Sequence, residues 1–218
     1  LVSGRQQSAV ITVDGYAWNA TLKGVIRKQQ FLVELVKGRS ETELVVNMGE
    51  EPLLWSEFSP ALYKLNVELL TDEGADNQLV DFGMKSFGVK GTQFTINGKT
   101  TFLRGKHDGC VFPLTGYPST EVTDWLEQFR IAQRYGINHI RFHSWTPPVA
   151  AFKAADIAGV YLQPELPFWG TMDAKNTSLN QCLLHEGEQL LKEYGNSPSF
   201  TMMALGNELN GDINLMRR

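Results

Sequence analysis

Toward its end the sequence runs Met203-Ala204-Leu205-Gly206-Asn207-Glu208, an apolar stretch leading straight into an amide and a carboxylate. Apolar packing alone selects neither. A carboxyl group there can hold a proton and hand it to a departing oxygen, and a neighbouring amide can grip a hydroxyl. Three other short apolar runs end in the same manner. Phe102-Leu103 leads into Arg104-Gly105-Lys106-His107-Asp108, and His139-Ile140-Arg141-Phe142 leads into His143-Ser144-Trp145. Val160-Tyr161-Leu162 leads into Gln163-Pro164-Glu165 and on to Phe168-Trp169. Taken singly these residues have plainer explanations: an Asn-Glu pair is usually solvated surface and Arg141 an ion-pair partner. Likewise Arg104 could pair with Asp108, His143 could cap a helix, and Trp145 and Trp169 would sit in a core. Four polar endings in succession are harder to explain one at a time. Of the four histidines, His185 reads as helix surface and His139 as the start of a strand, which leaves His107 and His143 where chemistry is possible.

The spacing between these runs predicts what positions them. Val122, Trp125, Leu126, Phe129, Ala132 and Tyr135 share one helical face, and Gly136 closes it. Pro147-Pro148 opens a second helix with Val149, Phe152 and Ala155 inward, ending at Gly159. A third is expected from Ser178, with Gln181 completing a capping box, to Tyr194-Gly195. Four strands alternating with three helices predict a parallel α/β arrangement, doubly wound or barrel. No Gly-rich phosphate loop is present, so the first half of a (β/α)8 barrel is preferred for residues 89–218. In such a barrel the carboxyl ends of the strands line one mouth, where Arg104, His107, Asp108, Arg141, His143, Trp145, Glu165, Trp169, Asn207 and Glu208 would meet.

Residues 1–88 have a different rhythm. Val10–Val13, ending at the turn pair Asp14-Gly15, Phe31–Val36, Glu43–Val46 and the alternating Leu65–Leu69 read as short strands, with a loop at Glu73–Asn77. An all-β immunoglobulin-like sandwich is the expected fold. Asn97-Gly98 between Phe94-Thr95-Ile96 and Thr101-Phe102-Leu103 is a strong hairpin signal. The 218 residues carry a formal net charge of −4, which supplies no basic stripe for nucleic acid, and no apolar run is long enough to span a bilayer. Cys110 and Cys182 read as two packed thiols rather than a disulfide framework or zinc site. The first residues show no signal-like segment, and targeting information could lie in residues outside this chain.

Several motifs in order resemble glycoside hydrolase family 2, the β-galactosidases, β-glucuronidases and β-mannosidases. Leu54-Trp55-Ser56 and Pro60–Leu65 are similar to the closing strands of its immunoglobulin-like domain. Phe82–Phe87, Phe94–Lys99 and Leu103-Arg104-Gly105 resemble its domain junction, and Leu205-Gly206-Asn207-Glu208 its acid/base segment. The resemblance is thin over residues 1–50 and dense from Trp55 to Glu208. It implies Glu208 as general acid/base and Asn207 as the ligand of the sugar 2-hydroxyl, in a retaining exo-acting β-glycosidase. The chemistry agrees, because a glycosidic oxygen leaves readily only when protonated, and burial would keep the carboxyl protonated near neutral pH. Departures from the family pattern leave the sugar open: His143 lies two residues after Arg141, Ser144 holds the third place, and Pro164 precedes Glu165. The metal ligands of the large β-galactosidases are not carried over, and no cofactor is expected.

Retention needs a second carboxylate ~5–5.5 Å from the first. The resemblance places it, a Glu, at the end of a seventh strand beyond Arg218, so this chain is expected to be an inactive piece of a larger enzyme. Glu165 and Asp108 could border the site but sit on neighbouring strands. Enzymes of this kind that digest external glycans are often exported, which points to a periplasmic or secreted parent. Two alternatives are a non-catalytic carbohydrate-binding protein with Trp145 and Trp169 as stacking platforms, and an endo-acting hydrolase of the same barrel superfamily.

Overall fold

The computed structural model describes residues 1–217. The chain divides into two compact units, one formed by Leu1–Leu54 with Ala61–Met84, the other by Trp55–Pro60 with everything from Lys85 onward.

In the first unit, strands β1 (Gln7–Ala17), β2 (Val25–Leu35), β3 (Tyr63–Thr71) and β4 (Gly74–Phe82) form an antiparallel sheet of order β2-β1-β3-β4. Successive side chains point to opposite faces of a strand. Ala9, Ile11 and Val13 of β1 therefore pack on one face with Val33 and Leu35, while Leu65, Val67 and Leu69 of β3 join them. Three expectations are corrected here. The chain does not turn at Asp14-Gly15; β1 runs through it, and the register shifts between Val13 and Gly15 in a bulge. Glu73–Asn77 is not a loop, because the turn is completed by Gly74 and Ala75–Asn77 already pair with β3. Glu43–Val46 forms no ladder: Leu44 and Val46 pack on the sheet's apolar face, while the backbone at Asn47 bonds the Gln29 side-chain amide.

The second unit begins with a three-stranded antiparallel sheet of β5 (Phe87–Lys90), β6 (Gln93–Ile96) and β7 (Lys99–Thr101), in which β6 is central. Asn97 and Gly98 turn β6 into β7 with φ of 52° and 75°, the doubly left-handed conformation that the Asn-Gly pair tolerates. A parallel sheet follows, of order β8 (Gly105–Asp108), β9 (His139–Phe142), β10 (Tyr161–Gln163). The parallel pairing continues in two isolated bridges, Leu162 to Phe200 and Glu165 to Ala204. Helix α1 (Val122–Arg134) joins β8 to β9 and helix α2 (Val149–Ala158) joins β9 to β10. Strand β11 (Trp169–Met172) precedes helix α3 (Thr177–Tyr194); strand β12 (Asn207–Gly211) pairs parallel to β11, and a short helix α4 (Ile213–Met216) follows.

The core of this unit lies between sheet and helices. Trp125 and Phe129 of α1 and Phe152 and Ala155 of α2 pack with Ile140, Phe142, Val160 and Leu162. Two parts of the expected helical faces fail: Tyr135 lies just past α1 and is exposed, and Val149 at the start of α2 is exposed. The third helix is capped by Asn176, whose Oδ1 accepts from the Leu179 backbone N–H, rather than by Ser178 with Gln181. The first parallel strand is shifted toward Asp108. Phe102 and Leu103 lie outside it, and Phe102 is exposed. Cys110 and Cys182 are free and both exposed, so neither is a packed thiol.

Candidate functional site

The carboxyl ends of the parallel strands bring together most of the residues singled out in the sequence. Register sets His107 opposite Arg141 and Asp108 opposite Phe142, and the His143 N–H donates to the Asp108 carbonyl at 2.8 Å.

Glu165 lies deepest, its side chain 1% exposed. Its Oε1 accepts from Arg141 Nε at 2.6 Å and its Oε2 from the Ser144 backbone N–H at 2.8 Å. Ser144 adopts φ 58°, an uncommon conformation for a non-glycine residue, and in it the amide faces that carboxylate. The other arm of the same guanidinium, Arg141 Nη2, donates to Asn207 Oδ1 at 2.9 Å. Asn207 is thus held at its carbonyl. Its Nδ2 is buried and has no hydrogen-bond partner among the described residues. A buried N–H without a partner is unfavourable, and a ligand hydroxyl oxygen is a natural acceptor for it.

Glu208 is placed by backbone geometry. Gly206 has φ 132°, and a Cβ there would come 2.2 Å from the Phe168 carbonyl oxygen, so this close approach of two segments admits glycine alone. Trp169 pairs with Asn207 but Thr171 pairs with Asn210, which leaves an extra residue in β12. Bulges of this kind re-aim side chains. Glu208 sits in the bulge with φ 46°, and its carboxylate Oε2 accepts from Trp169 Nε1 at 3.0 Å. The Trp169 ring meets His143 edge-on at 5.0 Å, and His143 meets His107 at 4.9 Å. A rim of Glu208, Trp169, His143 and His107 therefore borders the chain of hydrogen bonds from buried Glu165 through half-buried Arg141 to buried Asn207.

Five placements depart from expectation. Glu208 is exposed rather than buried at a strand end, because the bulge turns it outward. Arg104 precedes β8 and lies at its amino end, where it bonds Glu57 and the Gly136 and Phe102 carbonyls; the strand's shift toward Asp108 removes it from the mouth. Asp108 pairs with Lys106 at 3.0 Å rather than with Arg104. Trp145 is no open platform: it packs against Phe142 and Phe112 and donates its N–H to the Asp108 carbonyl. His143 caps no helix, as α2 begins at Pro148 without a side-chain cap. The hydrogen bond from Trp169 to Glu208 and the constraint at Gly206 were not anticipated; a glycine directly before Asn-Glu was the one available signal. His139 is buried at the amino end of β9, where burial pushes its imidazole below the usual range. Among the described residues no group of three or more His, Cys, Asp or Glu side chains could hold a metal ion. No helix among them is long and apolar enough to cross a membrane.

The arrangement presents one solvent-facing carboxyl group beside one buried amide donor, which suits proton exchange with a polar ligand lying over the rim. Comparison with known proteins bears on which ligand. The family model of Glycosyl hydrolases family 2 matches residues 1–88. The beta-galactosidase of Oenococcus oeni is 26% identical over 132 residues, 59% of this chain and 13% of that protein. The beta-glucuronidase of Paenibacillus borealis is 27% identical over 190 residues, 79% of this chain and 30% of that protein. Among solved structures, a family 2 glycosyl hydrolase from Bacteroides cellulosilyticus superposes with a TM-score of 0.78 at 19% identity, covering 94% of this chain and 27% of that one. The chain spans less than a third of the length of each of these relatives. Sequence profile, curated relatives and fold agree in likening the chain to glycosyl hydrolase family 2.

Proposed function

We propose that this chain is part of a retaining, exo-acting β-glycosidase, with Glu208 as general acid/base and Asn207 as ligand of the sugar 2-hydroxyl. In this reading residues 1–88 form an immunoglobulin-like sandwich. The parallel strands β8, β9 and β10 and the 200–204 segment are the first four of a (β/α)8 barrel, spanning residues 89–218. The observation that carries the reading is the Asn207 amide, fixed through Arg141 by Glu165 and left with a buried, unpaired Nδ2 beside Glu208. A hydroxyl held there binds most strongly as positive charge develops at the adjacent anomeric carbon. Glu208 gives a proton to the glycosidic oxygen as its bond to that carbon breaks, then takes one back from the water that completes hydrolysis. His107, His143 and Trp169 border the bound sugar.

The attacking carboxylate comes from outside residues 1–218. Glu165 is locked by Arg141 and the Ser144 amide and almost wholly buried, and Asp108 is paired with Lys106 with its side chain 12% exposed. Neither is free to approach an anomeric carbon. The relatives' names, a beta-galactosidase and a beta-glucuronidase, direct the reading to β-linked terminal sugars.

The test uses the full-length, catalytically competent protein. Glu208→Gln should cut turnover of alkyl glycosides by orders of magnitude while sparing dinitrophenyl glycosides in the glycosylation step, since their leaving group needs little protonation. Equal loss on both substrates overturns the acid role.

A further inference from the structure

We infer that Trp169 is a positioning residue for Glu208, whose indole N–H fixes which carboxyl oxygen carries the transferable proton. This rests on the acid/base reading of Glu208 and takes it further. Tryptophan was expected here as a stacking surface for sugar, but the structure turns its polar edge to the carboxyl group: Trp169 Nε1 lies 3.0 Å from Glu208 Oε2.

An indole N–H donates and cannot accept. That hydrogen bond favours Oε2 as the carbonyl oxygen, the stronger acceptor of the two in a carboxylic acid, and so favours the proton of the acid form on Oε1. The two oxygens of an isolated carboxyl group share the proton statistically and exchange it by rotation about the terminal bond, which is soft. Trp169 biases that exchange toward one arrangement. Oε1–H is left to face the glycosidic oxygen. As the bond from the anomeric carbon to that oxygen breaks and the nucleophilic carboxylate bonds to the carbon, the Oε1 proton passes to the leaving alcohol. In the second half Oε1 accepts a proton from the attacking water, and Oε2 remains bonded to the indole throughout.

Three features hold the donor in place. β11 and β12 pair directly at Trp169 and Asn207, and the bulge that follows sets Glu208 at φ 46° with its carboxylate beside the indole. The Asn207 N–H donates to the Phe168 carbonyl at 3.0 Å, tying the two segments one residue away on each side. The His143 ring meets the indole at 5.0 Å and 76°, blocking rotation of the ring on that side. Glu208 makes its side-chain hydrogen bond to Trp169 from an exposed position, so without the indole its carboxyl group would be free to rotate in solvent.

The decisive variant, made in the full-length protein, replaces Trp169 by benzothienylalanine, which keeps the ring and its packing and exchanges the N–H for sulfur. Trp169→Phe serves as the ordinary companion. We expect kcat for alkyl glycosides to fall roughly tenfold or more, as for loss of a hydrogen bond to a charged group, with KM little changed. Dinitrophenyl glycosides should lose much less. An unchanged kcat, an equal loss on both leaving groups, or a raised KM with kcat intact overturns the positioning role, the last by making Trp169 a stacking surface. Glu208→Gln is run alongside. If it does not discriminate between leaving groups, the acid role falls and this inference with it. If Glu208→Gln discriminates and the benzothienylalanine variant does not, the positioning role alone falls.

Discussion

Asn207 is held by one oxygen and idle at its nitrogen, and that asymmetry can be measured. Truncation to Ala removes the proposed donor to the 2-hydroxyl, so kcat/KM on an ordinary glycoside should fall roughly 10–100-fold in the full-length protein. On the matching 2-deoxy glycoside the same substitution should do almost nothing, because the bond it deletes is already missing. Steady-state kinetics on the four combinations give the coupling directly, and equal losses on both sugars would remove Asn207 from substrate binding. Glu165 is a separate matter of stability. Both its oxygens accept, one from Arg141 and one from the Ser144 amide, so Glu165→Gln turns an N–H2 group toward one of those donors. Breaking a fully buried pair costs ~3–5 kcal/mol; with Arg141 about a third exposed, about 2–3 kcal/mol is expected from urea denaturation.

At the scale of elements, helix α2 is tied to the segment before the bridge residue Phe200 by a half-buried acid. Asp156 accepts from Ser197 Oγ at 2.7 Å and from the Ser199 N–H at 2.9 Å, while Lys85 Nζ donates to the Phe200 carbonyl at 2.8 Å. Burial pushes the Asp156 carboxyl up to about 6 and the Lys85 amine down to about 8; the serines and the lysine oppose the first shift, and Asp156 opposes the second. Between about pH 4 and 6 the folded chain binds the Asp156 proton more tightly than the unfolded chain does, so this group's contribution to stability falls as pH rises through that window. Between about 8 and 10.5 the folded chain binds the Lys85 proton less tightly, so its contribution rises with pH. Asp156→Asn keeps the serine bonds within reach of an amide and should flatten the acid window in urea midpoints taken across it; an unaltered slope would assign that dependence elsewhere. What the sequence made readable follows from such locality. Asn97-Gly98 and the closing glycines of α1 and α2 depend on neighbouring residues, and their positions were legible. So was the convergence of Arg141, His143, Glu165 and Asn207, because strand ends in a parallel array share one side. The bulge at Glu208 depends on the register between segments almost forty residues apart, and the start of β8 on which residues meet β9. Neither leaves a mark in composition or periodicity, and both displaced expected residues, turning Glu208 outward and leaving Arg104 at the far end of its strand.

On the scale of the whole molecule, the parallel array of the second unit ends at β8, which is paired to β9 on one side only, and Gly105, Lys106 and His107 are exposed along it. An unpaired strand edge is a template for further pairing. The candidate site is similarly one-sided: the proposed proton donor and hydroxyl ligand lie on one side, while both other carboxylates near them are already engaged by cations or amides. A retaining displacement requires a free carboxylate across from Glu208. Residues 1–218 expressed alone should therefore show no turnover of an activated aryl glycoside, and should self-associate through the open edge in sedimentation experiments. Joining them to the remaining strands of the proposed barrel should restore both activity and a defined oligomeric state, with the nucleophile identified by trapping with a 2-fluoro glycoside and peptide mapping. Turnover by residues 1–218 alone that disappears in Glu208→Gln would place the nucleophile among the residues described here and reverse the assignment of Glu165 and Asp108 as occupied groups. A trapped sugar found on either of those two residues would do the same, because it would show that the ion pairs holding them open during the reaction.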